Sequence, residues 1–254
     1  MKNYRDAIMK RVNTKSIFKY DDLIITVTTE PDSLLESFCL TATVGKVFVG
    51  QIYGMSTNAY HMFTQPDNVW VQLDGASVLY ADEGLAYLNN IMPQRAIMDG
   101  NGLEDFGFSD EEIDAICDKI SFVNKKIADI AKHDISYRNK NIVFLDDVIV
   151  KPDYRRKGIF LKMTEVLEQW FGSDYSGAAY IYPLTMFDDG DDGDVFYDDD
   201  NAEENLLLNR TIATKLGWSL MDDFYALKLP EYILKIAKLG EEFRKYVPHI
   251  KNDE

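Results

Sequence analysis

The stretch NIVFLDDVIVKPDYRRKGIFLKMTEVLEQWFG, Asn141 to Gly172, constrains the fold more than any other part of the chain. Ile142 to Val150 is an apolar, β-branched run of strand length. Pro152 cannot donate to a sheet ladder, so the strand stops before it. A basic turn follows, Arg155-Arg156-Lys157-Gly158. Ile159, Met163, Val166, Leu167 and Trp170 then recur at helical spacing as one apolar stripe, and Gly172 is placed to end the helix. The predicted unit is a strand, a short basic turn and a helix.

That unit has a chemical consequence. The first N–H groups of a helix lack partners inside it and point at the preceding turn. Together with the helix dipole they form a site for phosphate. Gly158 permits close approach of the backbone, and three basic side chains add charge to a chain of formal net charge −16. Two readings stand side by side: a seat for a small anion, or a solvated turn at a helix start.

The same residues resemble motif A of the Gcn5-related N-acetyltransferases. That motif carries Arg/Gln-x-x-Gly-x-Gly/Ala after a strand ending in Val-x-Pro-x-Tyr-Arg. Val150, Pro152, Tyr154, Arg155 and Gly158 match in order, while Phe160 departs from the small final residue. The resemblance implies an α/β (α+β) fold with a mixed central sheet flanked by helices, opened between the motif A strand and the next. It implies acetyl-CoA as acyl-donor substrate, with its pyrophosphate on the amides of the turn and its pantetheine against the strand backbone. The residues so implicated are Val148, Ile149, Val150, Arg155, Arg156, Lys157, Gly158, Ile159 and Phe160. The implied activity is acetyl transfer to an amine, borne by a small molecule or a peptide. The rival is a non-enzymatic acyl-CoA-binding or scaffold protein with the same fold.

Ahead of motif A, residues 4 to 20 contain a short helix by this reading, with Ala7, Ile8 and Val12 on its apolar side. Leu23 to Thr28, Phe38 to Val44 and Val47 to Tyr53 read as strands, the last two joined by a Gly45-Lys46 turn. Glu30 to Ser33 reads as a turn or a helix start. The family passes from such a hairpin directly to motif A, whereas residues 56–140 here read as an insert. Within it Val69 to Leu73 reads as a strand and Asp82 to Asn90 as a short helix. Ser109 and Glu112 form a capping-box pattern, and Ile113, Ile116, Ile120, Val123, Ile127 and Ile130 follow as the stripe of a helix. That stripe packs either on the core or on a second copy in a homodimer.

After motif A, Ala178 to Pro183 reads as the next strand. The acidic run from Phe187 to Asn205 fits no EF-hand register, which leaves a solvated loop or a rim that attracts a cationic amine. A calcium-binding module is a second rival reading of it. Asn201 and Glu204 open a helix bearing Leu208, Ile212 and Leu216, which Gly217 closes. Ala213 to Trp218 resembles the family's Tyr-Glu-Lys-Leu-Gly-Phe segment. Leu220 to Leu229 reads as a final strand, and residues 230–254 as a helical extension bearing Ile233 and Ile236. The acyl-CoA-binding core is thus expected over residues 141–229 of one acetyltransferase-like domain spanning 1–254.

Composition narrows the partners. Hydrophobic residues at 46% and charged residues at 28% are those of a globular protein. No apolar run is long enough to span a bilayer, and MKNYRDAIMKRVNTK lacks the core of a signal peptide, so a cytoplasmic location is expected. Acidity argues against nucleic acid and anionic membranes, which bind basic surfaces. Cys39 and Cys117 form no CxxC and read as buried free thiols. His61, His133 and His249 make no zinc motif, so no metal is expected; His133 sits where it complements a helix C-terminus.

Acyl transfer to an amine needs a base and a group to assist the leaving thiolate. Asp146 and Asp147 are candidate bases, and strict alternation along a strand would let only one reach the cleft. The tyrosine acid of many relatives falls at Ala213 here, and the asparagine often found earlier in that helix falls at Leu206. Tyr182 and Tyr225, on the neighbouring strands, are candidates to replace the acid.

Overall fold

A computed structural model describes residues 14–76, 84, 87, 88, 91, 109–181, 202–221 and 225–244. An antiparallel meander opens the fold: β1 (Thr14–Tyr20), β2 (Leu23–Asp32), β3 (Leu35–Val44) and β4 (Val47–Asn58). Helices α1 (Ala59–Thr64), α2 (Pro66–Ala76) and α3 (Asp110–His133) follow, then a 3-10 turn (Ile135–Asn139); a second, Pro152–Tyr154, leads into the basic turn. The strand, basic turn and helix unit is β5 (Asn141–Val150) and α4 (Ile159–Phe171). The remainder is β6 (Ser176–Tyr180), α5 (Ala202–Lys215), β7 (Ser219–Leu220), β8 (Tyr225–Lys228) and α6 (Glu231–Arg244). The strands form one mixed eight-stranded sheet in the order β1-β2-β3-β4-β5-β6-β8-β7, with β5 and β6 its parallel pair.

Alternation along β5 splits the core. Val143 and Leu145 join a cluster with Met163, Val166 and Leu167 of α4, and Ala213 of α5 belongs to the same cluster. Ile142 and Phe144 face a second cluster built by Met62 and Phe63 of α1, Val69 and Leu73 of α2, Ile127 of α3 and Ile233 of α6. Helices α1, α2 and α3 thus cover the sheet face opposite α4, and Ile116, Ile120 and Ile127 of α3 are buried within the single chain. Ser109 caps α3 as its residues foretell: Glu112 returns a side-chain bond to the Ser109 amide at 2.9 Å.

Thr14–Tyr20 is a strand, with Phe18 and Tyr20 packed inward and Lys15, Ile17 and Lys19 exposed; the short helix expected on Ala7, Ile8 and Val12 lies outside the described residues. Other expectations are corrected. Val69 to Leu73 lies in helix α2, where Pro66 at the first turn and the four-residue spacing of its buried Val69 and Leu73 suit a helix. Leu220 to Leu229 is not one strand but the antiparallel pair β7 and β8. Glu30 to Asp32 extend β2, and Ser33 makes the turn. Both cysteines are free, as expected, but half-buried rather than buried. Residues 4–13 and the acidic run to Asn201 lie outside the described residues.

Candidate functional site

The site begins where β5 and β6 part. Their ladder runs from Ile142 opposite Ser176 to Leu145 opposite Ala179. Beyond it, among the described residues, Asp147 to Val150 pair with β4 alone. In an antiparallel ladder successive residues turn their N–H and C=O groups to opposite sides. The Lys151 amide donates to the Val49 carbonyl at 2.9 Å, so Lys151 and Ile149 face β4. Val148 and Val150 therefore turn their backbone groups to the opening, and Val150's carbonyl accepts Arg155 Nε there at 3.0 Å.

A β-bulge marks the same place. Tyr53 stands opposite Asp147 and Gly54 opposite Leu145, which leaves Asp146 as the extra residue of β5. Strict alternation fails across it, so the expectation that only one of Asp146 and Asp147 reaches the cleft loses its premise. Gly54 is required opposite the bulge. A Cβ there would meet the Phe144 carbonyl and approach the Phe38 ring to 2.6 Å.

β5 runs directly into the basic turn. The amides of Tyr154 and Arg155 donate to the carbonyls of Lys151 (2.9 Å) and Pro152 (3.1 Å), so Arg155's own N–H is used inside the turn. Arg156 (φ 63°) and Gly158 (φ 76°) are both left-handed, and Gly158 caps α4. The first bond of α4 runs from the Lys162 amide to the Gly158 carbonyl at 3.0 Å. The N–H groups of Ile159, Phe160 and Leu161 therefore have no acceptor inside the helix and point toward the turn. Ile159's side chain is buried in the core, so its amide is what it can present. Phe160 also packs against the α4-side cluster, which accounts for a large residue where the motif has a small one. Lys157 Nζ lies 5.0 Å from the Tyr154 ring centroid, and Lys162 pairs with Glu165 at 2.7 Å.

On the opposite bank, Asn209 Nδ2 of α5 donates to the Ile181 carbonyl, just past β6, at 3.0 Å. Leu206 offered no such amide; Asn209 lies one helical turn later. Its four-residue spacing to Ala213, which puts the two on one helix face, is the signal that could have found it. Ala213 itself is buried, and the Trp218 amide donates to its carbonyl at 2.9 Å. Gly217 (φ 77°) ends the helix as expected. Tyr225 begins β8 opposite Tyr180, at the end of the sheet where β5 and β6 have parted. Tyr182 lies outside the described residues.

The fold thus defines a mixed α/β protein: a large mixed sheet, flanked by helices, with an opening beside its parallel pair. Among the described residues no helix is long and apolar enough to cross a membrane. No family model, curated protein or solved structure matches the chain.

Proposed function

We propose that the chain binds acetyl-CoA in the opening between β5 and β6 and transfers the acetyl group to an amine, as the Gcn5-related N-acetyltransferases that it resembles do. One observation carries the reading: the free edge of β5 leads without interruption into the Gly158-capped start of α4. Acetyl-CoA has an amide-bearing arm and a pyrophosphate. A strand edge suits the first and a helix N-terminus the second. Among the described residues, the ladder of the parallel pair β5 and β6 ends at Leu145 opposite Ala179, on the side of the sheet from which β5 enters that turn.

In the proposed reaction the amine nitrogen attacks the thioester carbonyl carbon, the C–N bond forms and the C–S bond breaks. The amine must lose a proton, for which Asp146 and Asp147 are the proposed bases, and the departing thiolate takes one up. In this reading the amide of Val148 or Val150 bonds the oxygen as charge develops on it. A net charge of −16 and the acidic run after β6 favour a cationic acceptor, and a cytoplasmic setting goes with acetyl-CoA supply.

Calorimetry with acetyl-CoA, followed by acceptor-dependent release of the CoA thiol, tests both halves. No binding at millimolar acetyl-CoA overturns the proposal. Binding without turnover on a broad panel of amines favours a second reading, a non-enzymatic acyl-CoA-binding protein. The buried methyl group of Ala213, where relatives carry a tyrosine acid, speaks for that alternative.

A further inference from the structure

We infer that Arg155 is a positioning residue, a pin between the basic turn and the free edge of β5, and that its role rests on the Nε–H group rather than on its charge. The identity of the ligand it serves rests on the acyl-CoA reading; the pin itself does not. Val150's carbonyl is the last of β5 to face the opening, and Arg155 Nε holds it at 3.0 Å. The bond is partly buried, where a carbonyl without a partner is costly. Because the donor is Nε, the side chain folds back over the Lys151–Tyr154 turn to the strand. The turn is closed a second time by the amides of Tyr154 and Arg155. Lys151, donating to Val49, fastens its other side to β4.

Two consequences follow for the site. The pin fixes the start of α4, with its N–H groups, relative to the edge of β5, which is the spacing between an anion seat and an amide-bearing arm. It also engages one lone pair of the Val150 carbonyl, so Val148, whose backbone faces the same side, is the favoured acceptor for a ligand amide on this stretch of β5.

Three substitutions separate a pin from a charge. Gln Nε2 occupies the same bonded position as Arg Nε, so Arg155→Gln keeps the donor and loses the charge. Arg155→Met keeps the length and loses both. Arg155→Lys keeps the charge but puts a methylene where Nε was. Without any ligand, amide hydrogen exchange at Tyr154, Arg155 and Lys162, whose N–H groups are bonded within the turn and the first turn of α4, should quicken about tenfold in the Met and Lys variants and stay unchanged in the Gln variant, the fold-change of one lost hydrogen bond. With ligand, the Met and Lys variants should weaken acetyl-CoA about tenfold and the Gln variant should not, while S-acetylpantetheine, which lacks the pyrophosphate and does not span the two ends, should change little. If exchange in the Gln variant quickens as in the Met variant, or if Lys behaves as the unmutated protein does, the pin is overturned. If the Gln variant weakens acetyl-CoA as the Met variant does while the Lys variant keeps it, the charge of Arg155 binds phosphate and the inference again fails. Absence of acetyl-CoA binding to the unmutated protein would overturn the proposed function, while the exchange comparison would still decide the role of Arg155.

Discussion

Leu145 and Val150 pack into the same side of the sheet, although an odd number of steps separates them along one strand. A strand with an unbroken period of two would put them on opposite faces. The extra residue, Asp146, restores Val150 to the α4 side. The same bulge lies at the point where the ladder to β6 stops, so the change of parity and the opening of the sheet share one location.

Deleting Asp146 should therefore do more than replacing it. Without the extra residue, Val150 leaves the α4-side cluster or the basic turn is drawn one residue toward the bulge. Either outcome should lower the chemical denaturation midpoint, by about 1–3 kcal/mol of stability, and abolish acetyl-CoA binding. Asp146→Ala keeps the register and should leave the midpoint within about 0.5 kcal/mol of the unmutated protein. Equal midpoints for the deletion and the alanine variant would show that the bulge does not set the register.

Gly158 constrains the turn by backbone conformation and not by crowding, since a Cβ there would meet nothing within 4 Å at φ +76°. A β-branched residue is strongly disfavoured in that region, whereas asparagine enters it readily. Gly158→Val should cost about 1–2 kcal/mol and remove the acetyl-CoA-induced rise in melting temperature. Gly158→Asn should keep that rise, which at a hundredfold excess over Kd corresponds to about 2.7 kcal/mol. A full ligand response in the valine variant would exclude the turn from the binding site.

Tyr87 is tied to the sheet by a hydrogen-bond relay whose direction can be assigned. Ser176 Oγ donates its single proton to the Lys228 carbonyl at 2.7 Å, so Tyr87 must be the donor in its own 2.7 Å bond to Ser176 Oγ. Burial holds the Tyr87 hydroxyl well above the usual tyrosine range, and nearby Tyr232 adds to the effect. Burial likewise raises Tyr175 and Tyr232. Their folded values exceed the unfolded one, so their stabilising contribution is complete below about pH 10 and is lost as pH rises beyond it. Stability should fall by about 1.4 kcal/mol per pH unit for each such tyrosine. Tyr87→Phe should cost about 1 kcal/mol at neutral pH and reduce the alkaline slope by one proton's share, read by denaturation at several pH values. An unchanged slope would mean that Tyr87 ionises freely in the folded protein.

How far the fold could be read in advance follows from what each pattern depends on. β5, the basic turn and α4 were legible because local pattern and terminal glycines agree there, and Ser109 with Glu112 is a purely local signal. Thr14–Tyr20 was not, because helical spacing at Ala7, Ile8 and Val12 runs into the alternating Phe18 and Tyr20 and hides the change of period. Val69-Trp70-Val71 has strand-like composition, and only burial of Val69 and Leu73 by the neighbouring elements decides for a helix. The bulge and the length of the β5–β6 ladder belong to pairs of strands, so no single stretch encodes them. Arg155 was expected as a basic group of the turn; its bond to Val150 depends on which way that carbonyl faces, which the register with β4 decides.

Tyr225 is the described residue on which the question of acid assistance can be tried. It begins β8, half-buried, at the end of the sheet where β5 and β6 part, while the position that carries a tyrosine in the acetyltransferases the chain resembles is the buried methyl of Ala213. Restoring a tyrosine at Ala213 would force a large ring into a packed cluster and should cost about 1–3 kcal/mol of stability, so gain of function there is not expected. Tyr225→Phe removes only a hydroxyl. If Tyr225 protonates the departing thiolate, kcat should fall about 10²–10⁴-fold with acetyl-CoA affinity unchanged. A thiol of ordinary pKa, about 8.5, is also a fair leaving group without help. The two mechanisms part in their response to the leaving group. Replacing the CoA thioester by an analogue with a more acidic thiol should rescue Tyr225→Phe if the hydroxyl assists departure, and should leave it no better than the unmutated protein if it does not. Full activity of Tyr225→Phe with acetyl-CoA would assign departure to the unassisted thiolate.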